Sequence, residues 1–246
     1  MDPLTAAAAN GLQARMDSFD MLANNLANTS TSGFKVDREF YSTYLAAEAQ
    51  TPFDPSVGES PLVQRQWTDF SQGNMVATGN ATDLAISGDG FFAVNGPSGP
   101  LYTRSGNFHF SPQGVLVSAE GYPVRLTGGQ KLQSQSASPI QVGADGQVLQ
   151  DGNALGQLEV MSFKENGNLT RTAGAYFQNS DVQNNAPTAS VAQLYQGKLE
   201  GSNAAPAESA ARMISLMRHF EMLQHAVKIG SDMNRQAMEE VARVGQ

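Results

Sequence analysis

Side chains that could carry catalysis or bind a metal are few in this chain and widely separated. Histidine occurs at His109, His219 and His225, and cysteine does not occur. His109 alternates with two phenylalanines in a predicted strand, which places its ring on the solvent face. His219 and His225 are six residues apart in a predicted helix and therefore lie on different faces. We predict no catalytic, cofactor-binding or metal-binding residue among them.

Three carboxylates in predicted loops, Asp83, Asp89 and Glu120, could form an acid–base pair if folding brought two of them together. Nothing in their spacing predicts that they meet. The sequence also lacks a phosphate-binding loop, a dinucleotide-binding fingerprint and a nucleophile elbow. The residues themselves therefore favour a protein without an active site.

Charge and composition argue against several further classes of protein. The 246 residues include 15 Lys+Arg and 23 Asp+Glu, for a formal net charge of −8, which disfavours nucleic acid as a partner. No run of about 18 apolar residues occurs, so we expect no transmembrane helix. The N-terminus lacks the basic and apolar regions of a signal peptide, so we expect no cleaved leader.

The distribution of glycine and proline divides the chain into helical ends and a β-rich middle. Most Gly and Pro lie between residues 51 and 205, where they punctuate short strands, whereas Met concentrates at the ends. We predict an α+β fold in which long N- and C-terminal helices form a coiled-coil-like stalk and the centre is an all-β domain. The expected divisions are 1–35 (helix), 36–70 (extended connector), 71–203 (β domain and return segment) and 204–246 (helix), with the first and last forming one helical core domain.

The N-terminal helix is predicted over about residues 3–28, with Asp2 as its cap and Pro3 in its first turn. Its apolar stripe contributes four residues to a predicted assembly seam: Leu12, Phe19, Leu22 and Leu26. Polar residues interrupt this stripe, so its periodicity alone favours an ordinary amphipathic helix on a globular core.

The C-terminal helix has a cleaner heptad pattern, predicted over 213–244. Its contribution to the assembly seam is Met213, Leu216, Phe220, Leu223, Val227, Asn234 and Val241. The apolar area of this seam is too small to offset the entropy of ordering the helix alone. We therefore expect it to pack against the N-terminal helix and against other copies of the chain. A helical hairpin packed on the β domain is the alternative.

The middle of the chain is predicted to be a sandwich or barrel of short strands. Residues 84–87 and 91–94 should pair as a hairpin across a turn with Gly88 and Gly90, at least one of them at positive φ. Further strands are predicted at 102–110, 115–117, 140–142, 148–149 and 158–163. Asp-Gly pairs at 145–146 and 151–152 should mark turns between strands.

Four segments together resemble the flagellar basal-body rod and hook family of axial proteins. Residues 23–28 and 30–35 are similar to the family's N-terminal signature, and segments 83–92, 102–108 and 199–203 follow in family order. The matching positions of the signature, here called the rod motif, are Asn24, Asn25, Leu26, Ala27, Asn28, Gly33, Phe34 and Lys35.

The resemblance implies a structural subunit of the basal-body rod, with no enzymatic activity and no cofactor. The terminal helices would build the inner core of a hollow shaft between motor and hook, and the β region an outer layer. Expected partners are other copies of the chain, other flagellar rod and hook proteins and the flagellar type III export apparatus, but not nucleic acid. The expected location is the rod crossing the periplasm, reached without a cleaved signal peptide.

Within the family, segments 199–203 and 218–222 resemble the proximal-rod member most, and a distal-rod or hook-type subunit is the alternative. A protein that binds or cleaves peptidoglycan is an alternative from a different class, because a rod must pass through that polymer. A muralytic assay on the purified protein distinguishes the two classes.

Overall fold

The computed structural model describes residues 3–44, 60–136 and 138–244. Helix α1 spans Pro3–Ala27, helix α2 spans Pro206–Val244, and short strands lie between them. The chain divides into two compact units. The helical unit comprises Met1–Ala27, Asp37–Trp67 and Ala205–Gln246, and the β unit comprises Asn28–Val36 and Thr68–Ala204. The rod-motif residues from Asn28 onward thus belong to the β unit, although the sequence division placed them with the first helix.

In the helical unit, α1 and α2 pack together beside a two-stranded sheet of β1 (Asp37–Tyr44) and β2 (Ser60–Thr68). Both strands fall in the segment predicted as an extended connector. Ser18 Oγ bonds the Ala14 carbonyl and Glu39 Oε2, both at 2.8 Å, which ties α1 to β1. The predicted cap Asp2 lies outside the described residues.

The prediction of a coiled-coil-like stalk is wrong. Helix α1 has 25 residues and α2 has 39, so at 1.5 Å per residue α1 is about 20 Å too short to cover α2. Among the described seam side chains, Leu22 and Leu216 are buried, but Phe19 is 37% exposed. The side chains of Asn234 and Val241 lie outside the described residues. The described residues form two terminal helices and a mostly β middle, and their seam side chains make no continuous buried stripe. A coiled-coil stalk would need two helices of matching length.

The β unit is built around a six-stranded sheet in the order β13-β14-β6-β5-β12-β15. Strands β5 and β6 form its central hairpin, with Phe92 opposite Thr103. The strands of this sheet are β5 (Phe91–Gly96), β6 (Gly99–Thr103), β12 (Val160–Ser162), β13 (Leu169–Ala173), β14 (Tyr176–Asn179) and β15 (Thr188–Ala189). A 3₁₀ turn at Asn166–Asn168 precedes β13.

Smaller sheets complete the β unit. They pair β3 with β17, β4 with β16, β7 with β8, and β10 with both β9 and β11. Their bounds are β3 (Met75–Ala77), β4 (Leu84–Ser87), β7 (Phe108–Phe110), β8 (Leu116–Ser118), β9 (Gln141–Val142), β10 (Gln147–Gln150), β11 (Asn153–Gln157), β16 (Gln193–Gln196) and β17 (Lys198–Glu200). Residues 178–203, predicted as the return segment of the β domain, therefore contain the short strands β15, β16 and β17.

The predicted hairpin between residues 84–87 and 91–94 is wrong. Strand β4 pairs with β16, and β5 pairs with β6 and β12. The local turn is nevertheless present, because Gly88 has φ +101° as predicted. The adjacent side chains Phe91 and Phe92 point to opposite faces of β5 and enter two separate hydrophobic clusters. A turn signal thus marks where the chain bends, while distant strands decide the pairing.

The other strand and turn predictions hold in part. The predicted strand at 102–110 is interrupted, so that β6 ends at Thr103 and β7 begins at Phe108. The Asp-Gly turn at 151–152 is confirmed, because Asp151 and Gly152 have φ +51° and +80° between the paired strands β10 and β11. The Asp-Gly pair at 145–146 connects β9 to β10.

Candidate functional site: the rod motif and a buried ion cluster

The second half of the rod motif docks inside the β unit against two of the other segments that carry the family resemblance. The Gly33 amide donates to the Glu200 carbonyl at 2.7 Å, and the Ser32 hydroxyl lies 3.0 Å from that of Ser105. Residues 28–36, here called the rod-motif loop, thus lie beside residues 103–106 and 198–203. Three segments distant in sequence meet at one place.

Gly33 permits this close approach. Its φ is +68°, and a Cβ built on it would lie 2.1 Å from the Ser105 amide nitrogen and 2.3 Å from the Arg104 carbonyl carbon. Both neighbours are backbone atoms and cannot rotate away. Any residue larger than glycine therefore separates the rod-motif loop from the strand that ends at Thr103.

A buried ion cluster of Lys35, Arg104 and Glu200 lies next to Gly33. Lys35 Nζ donates to Glu200 Oε1 at 2.5 Å and to the Ser71 carbonyl at 2.6 Å. Arg104 Nη1 donates to Glu200 Oε2 at 3.3 Å, and the Gly73 amide donates to Glu200 Oε1 at 2.9 Å. The Lys35 and Glu200 side chains are fully buried, and that of Arg104 is 3% exposed.

Two cations share one carboxylate in this cluster. Burial lowers the pKa of the Lys35 ammonium, and the attraction of Glu200 opposes that shift. Burial likewise lowers the pKa of the Arg104 guanidinium against the attraction of Glu200. Arg104 Nε is buried and has no hydrogen-bond partner among the described residues. Glu200 is therefore the member on which both cations depend.

Phe34 is held by a cation–π stack. The Arg171 guanidinium carbon lies 4.7 Å from the centre of the Phe34 ring and 4.9 Å from that of Phe177. Arg171 also donates to the Lys35 carbonyl at 2.5 Å and to the Gly174 carbonyl at 2.8 Å. One arginine thus binds both the ring and the backbone of the rod-motif loop.

Asn203 binds the C-terminal end of the rod-motif loop. Its Oδ1 accepts from the Val36 amide at 2.9 Å, and its Nδ2 donates to the Asp69 carbonyl at 2.7 Å. The Asp69 amide donates to the Val36 carbonyl at 2.8 Å. The Asn203 amide therefore forms hydrogen bonds with the backbone of two neighbouring segments, one at Val36 and the other at Asp69.

The first half of the rod motif lies in the helical unit, apart from Asn28. Asn25 is buried and bonds the Asp37 backbone twice, donating to its carbonyl at 2.8 Å and accepting from its amide at 3.0 Å. Asn24 and Ala27 are exposed, and Leu26 is half-buried. Asn28 Oδ1 accepts from the Thr31 hydroxyl at 3.1 Å. Asn25 thus ties the last turn of α1 to the start of β1.

Three of the predicted seam residues meet at one cavity in the described part of the two helices. Phe19, Leu216 and Phe220 line a cavity of about 320 Å³ between α1 and α2 together with Arg15, Met16, Asp20, Met217 and Glu221. Leu12, Met213, Leu223 and Val227 are half-buried. A Cβ on Gly11 would lie 4.0 Å from Leu223, which places the beginning of α1 near the middle of α2.

The three candidate acid–base residues lie in different surroundings. Asp83 is buried and accepts from Asn80 at 3.0 Å, whereas Asp89 is exposed. Glu120 accepts from the Tyr176 hydroxyl, and burial together with this bond raises the pKa of the Tyr176 phenol. The rings of His109, His219 and His225 are exposed. Within the described residues, no group of three His, Cys, Asp or Glu side chains is placed to hold a metal ion.

Three family models match the chain in order. They are the flagella basal body rod protein over residues 6–35, the flagellar hook protein FlgE/F/G D1 domain over 85–150 and the flagellar basal body rod FlgEFG protein C-terminal over 195–240. The flagellar basal-body rod protein FlgF of Caulobacter vibrioides is 32% identical over 227 residues, which cover 92% of each chain. The chain belongs to the flagellar basal-body rod protein family.

Further relatives of the same family include both FlgF and FlgG. FlgF of Mesorhizobium japonicum is 30% identical over 87% of this chain and 86% of its own. FlgG of Buchnera aphidicola subsp. Schizaphis graminum is 29% identical over 95% of this chain and 97% of its own. As a flagellar rod protein, the chain is a structural subunit of the basal body, is not an enzyme and assembles with other rod and hook proteins. None of its described helices combines the length and apolar character that crossing a membrane requires.

Sequence reasoning placed Lys35 in the rod motif but missed Arg104 and Glu200 as functional residues of this rod protein. Both lie inside segments that carried the family resemblance, at 102–108 and 199–203. Their charges were the available signal, because a buried charged residue requires a partner of opposite sign. Which charges pair across more than 90 residues of chain is decided by the fold.

We expect Gly33→Ala to displace the rod-motif loop, because the new methyl group would overlap the Ser105 and Arg104 backbone. The combination of positive φ and overlap should cost about 1–3 kcal/mol of docking free energy. Limited proteolysis followed by mass spectrometry should show new cleavage within residues 28–36. Gly167→Ala is the matched control, because a Cβ there meets nothing within 4 Å. Equal protection of the loop in Gly33→Ala and wild type would contradict the steric argument.

Proposed function

We propose that this rod protein is a proximal-rod subunit that assembles with further copies of itself into the hollow drive shaft between motor and hook. The two terminal helices would line the inner core, and the β unit would form the outer layer. The family match supports a rod role, and the surface of the helical unit supports assembly through the helices.

The main observation behind this proposal is the solvent-exposed apolar surface of α1 and α2. Single exposed apolar residues are normal, but a series along two packed helices marks an interaction surface. On α1 this series is Met16 and Phe19, with 52% and 37% exposure. On α2 it is Ile214, Met217, Met222, Ile229 and Met233, with exposures from 49% to 64%.

The cavity between the helices supports the same conclusion. It has a volume of about 320 Å³ and is lined by apolar side chains from both helices, Phe19 and Phe220 among them. Two of the lining side chains, Met16 and Met217, are flexible and adapt to a partner of varied shape. Side chains from neighbouring subunits would fill this space and bury the exposed rim.

The FlgF relatives support the proximal assignment, because FlgF is the proximal-rod member of the family, although FlgG relatives match the chain too. The FlgF proteins of Caulobacter vibrioides and Mesorhizobium japonicum are 32% and 30% identical to the chain, and the Buchnera FlgG cited above is 29% identical. Segments 199–203 and 218–222 favour the same member. A distal-rod or hook-type subunit would use the same helices at another level of the shaft.

Assembly on the far side of the inner membrane requires export of the subunit. We propose that the flagellar type III apparatus carries the chain, without cleavage of a signal peptide. This proposal rests on membership of the flagellar basal-body rod family.

Gold-labelled antibodies on isolated basal bodies test the location. We expect label on the rod, in the half that adjoins the motor. Label confined to the half that adjoins the hook would replace the proximal assignment by the distal one. Label in the cytoplasm or at the outer membrane alone would contradict a rod role. The mass of the protein recovered from the same basal bodies shows whether a leader is removed.

A further inference from the structure

We propose that Lys35, Arg104 and Glu200 form a latch that holds the rod-motif loop, and that this loop opens as a unit while the β unit stays folded. The inference goes beyond a rod role, because it assigns a conformational device to one place within the subunit. It rests on the polar contacts that attach the loop to the β unit and on the position of the loop outside both hydrophobic clusters.

The loop buries two apolar side chains of its own, Phe34 and Val36, which are 1% and 7% exposed. Among the described residues, one cluster surrounds Phe92 and Phe108 and the other surrounds Phe91 and Phe177, and neither includes Phe34 or Val36. Opening of residues 28–36 therefore removes no member of either core. A segment that opens without breaking a core has a lower opening free energy than the whole unit.

Polar and ionic contacts hold the loop in addition to the burial of Phe34 and Val36. The backbone bonds from Gly33 to Glu200 and from Asp69 to Val36 are supplemented by side-chain bonds from Lys35, Asn203 and Arg171. Water can replace each of these bonds when the loop opens. A buried ion pair also regains its hydration on opening, which offsets much of the attraction that is lost. Opening of the loop therefore costs these contacts and the burial of Phe34 and Val36, whereas unfolding of the β unit costs both hydrophobic clusters as well.

Lys35 is the movable part of the latch, because it lies on the loop, whereas Arg104 and Glu200 lie in the β unit's strands or directly beside them. Removing the Lys35 charge leaves Glu200 paired with Arg104, so the β unit keeps a balanced pair. Removing the Glu200 charge leaves two buried cations facing each other. Both changes should open the loop, and the second should open it further.

Hydrogen exchange of the full-length chain, followed by mass spectrometry, tests the latch. In Lys35→Met we expect amides of residues 28–36 to exchange at least tenfold faster than in wild type, with β5 and β14 unchanged. Glu159→Gln is the matched control. It breaks the Arg125–Glu159 pair, whose bond is 3.0 Å long, in another part of the β unit and should leave exchange of the loop unchanged.

Glu200→Gln is the second variant, and we expect a larger rise in the loop than Lys35→Met produces. Adding Lys35→Met to Glu200→Gln should reduce that rise, because one of the two unpaired cations is removed. Unchanged exchange in the loop of Lys35→Met would overturn the latch. Equal acceleration of β5 and β14, or failure of Lys35→Met to fold, would overturn the independence of the loop from the cores.

Discussion

A strain whose rod protein carries Phe220→Asp will not swim, although the β unit of that protein will stay folded. Phe220 is half-buried beside the cavity between α1 and α2, and neither hydrophobic cluster of the β unit includes it. The cavity is already lined by two carboxylates, Asp20 and Glu221, and one cation, Arg15, so assembly would bury a third carboxylate in excess negative charge. Loss of a large apolar contact typically costs about 2–5 kcal/mol, and the loss recurs in every subunit.

The measurements are swimming in soft agar, recovery of the protein in isolated basal bodies and circular dichroism of the purified chain. Phe220→Leu is the matched control, since it keeps an apolar side chain and should swim. His109→Ala should also swim, because that ring is exposed on β7 and has no assigned role. Normal swimming of Phe220→Asp would show that the helices are not the assembly surface. Loss of swimming in an exported His109→Ala protein would reveal a site on the β unit.

Gly106→Ala will lower the stability of the β unit more than a substitution at a solvent-exposed position does. A Cβ at Gly106 would lie 1.7 Å from the Leu84 carbonyl oxygen, and the Leu84 amide already donates to the Gly106 carbonyl at 3.0 Å. Leu84 is fully buried in the larger cluster, so neither backbone can move without disturbing that core. We expect a loss of about 3 kcal/mol, or roughly 10 °C in melting temperature.

Thermal unfolding of the full-length chain, followed by near-ultraviolet circular dichroism, measures this effect. Gly167→Ala serves as control, because its Cβ would meet nothing within 4 Å and should leave the melting temperature within about 2 °C of wild type. A melting temperature of Gly106→Ala equal to that of the control would mean that β4 and the segment before β7 do not pack as described.

The sequence by itself determined the elements that depend on local patterns. The heptads over 213–244 predicted the C-terminal helix, which the structure extends to Pro206–Val244. Asp151-Gly152 forms a hairpin turn because both residues accept positive φ. His109 faces solvent because side chains alternate along a strand. The motif order along the chain was also sufficient to indicate the family, since short signatures survive where overall identity is near 30%.

Tertiary structure decided which strands, helices and buried charges pair with one another. Strand β4 pairs with β16 instead of β5, since packing of distant segments overrides a local turn signal. The heptads of α2 predicted a stalk, but the lengths of α1 and α2 differ and most described seam side chains stay half-buried or exposed. The meeting of Lys35, Arg104 and Glu200 could not be read from spacing. The free energy of each buried charge depends on partners far away in the chain, and the fold brings those partners within reach.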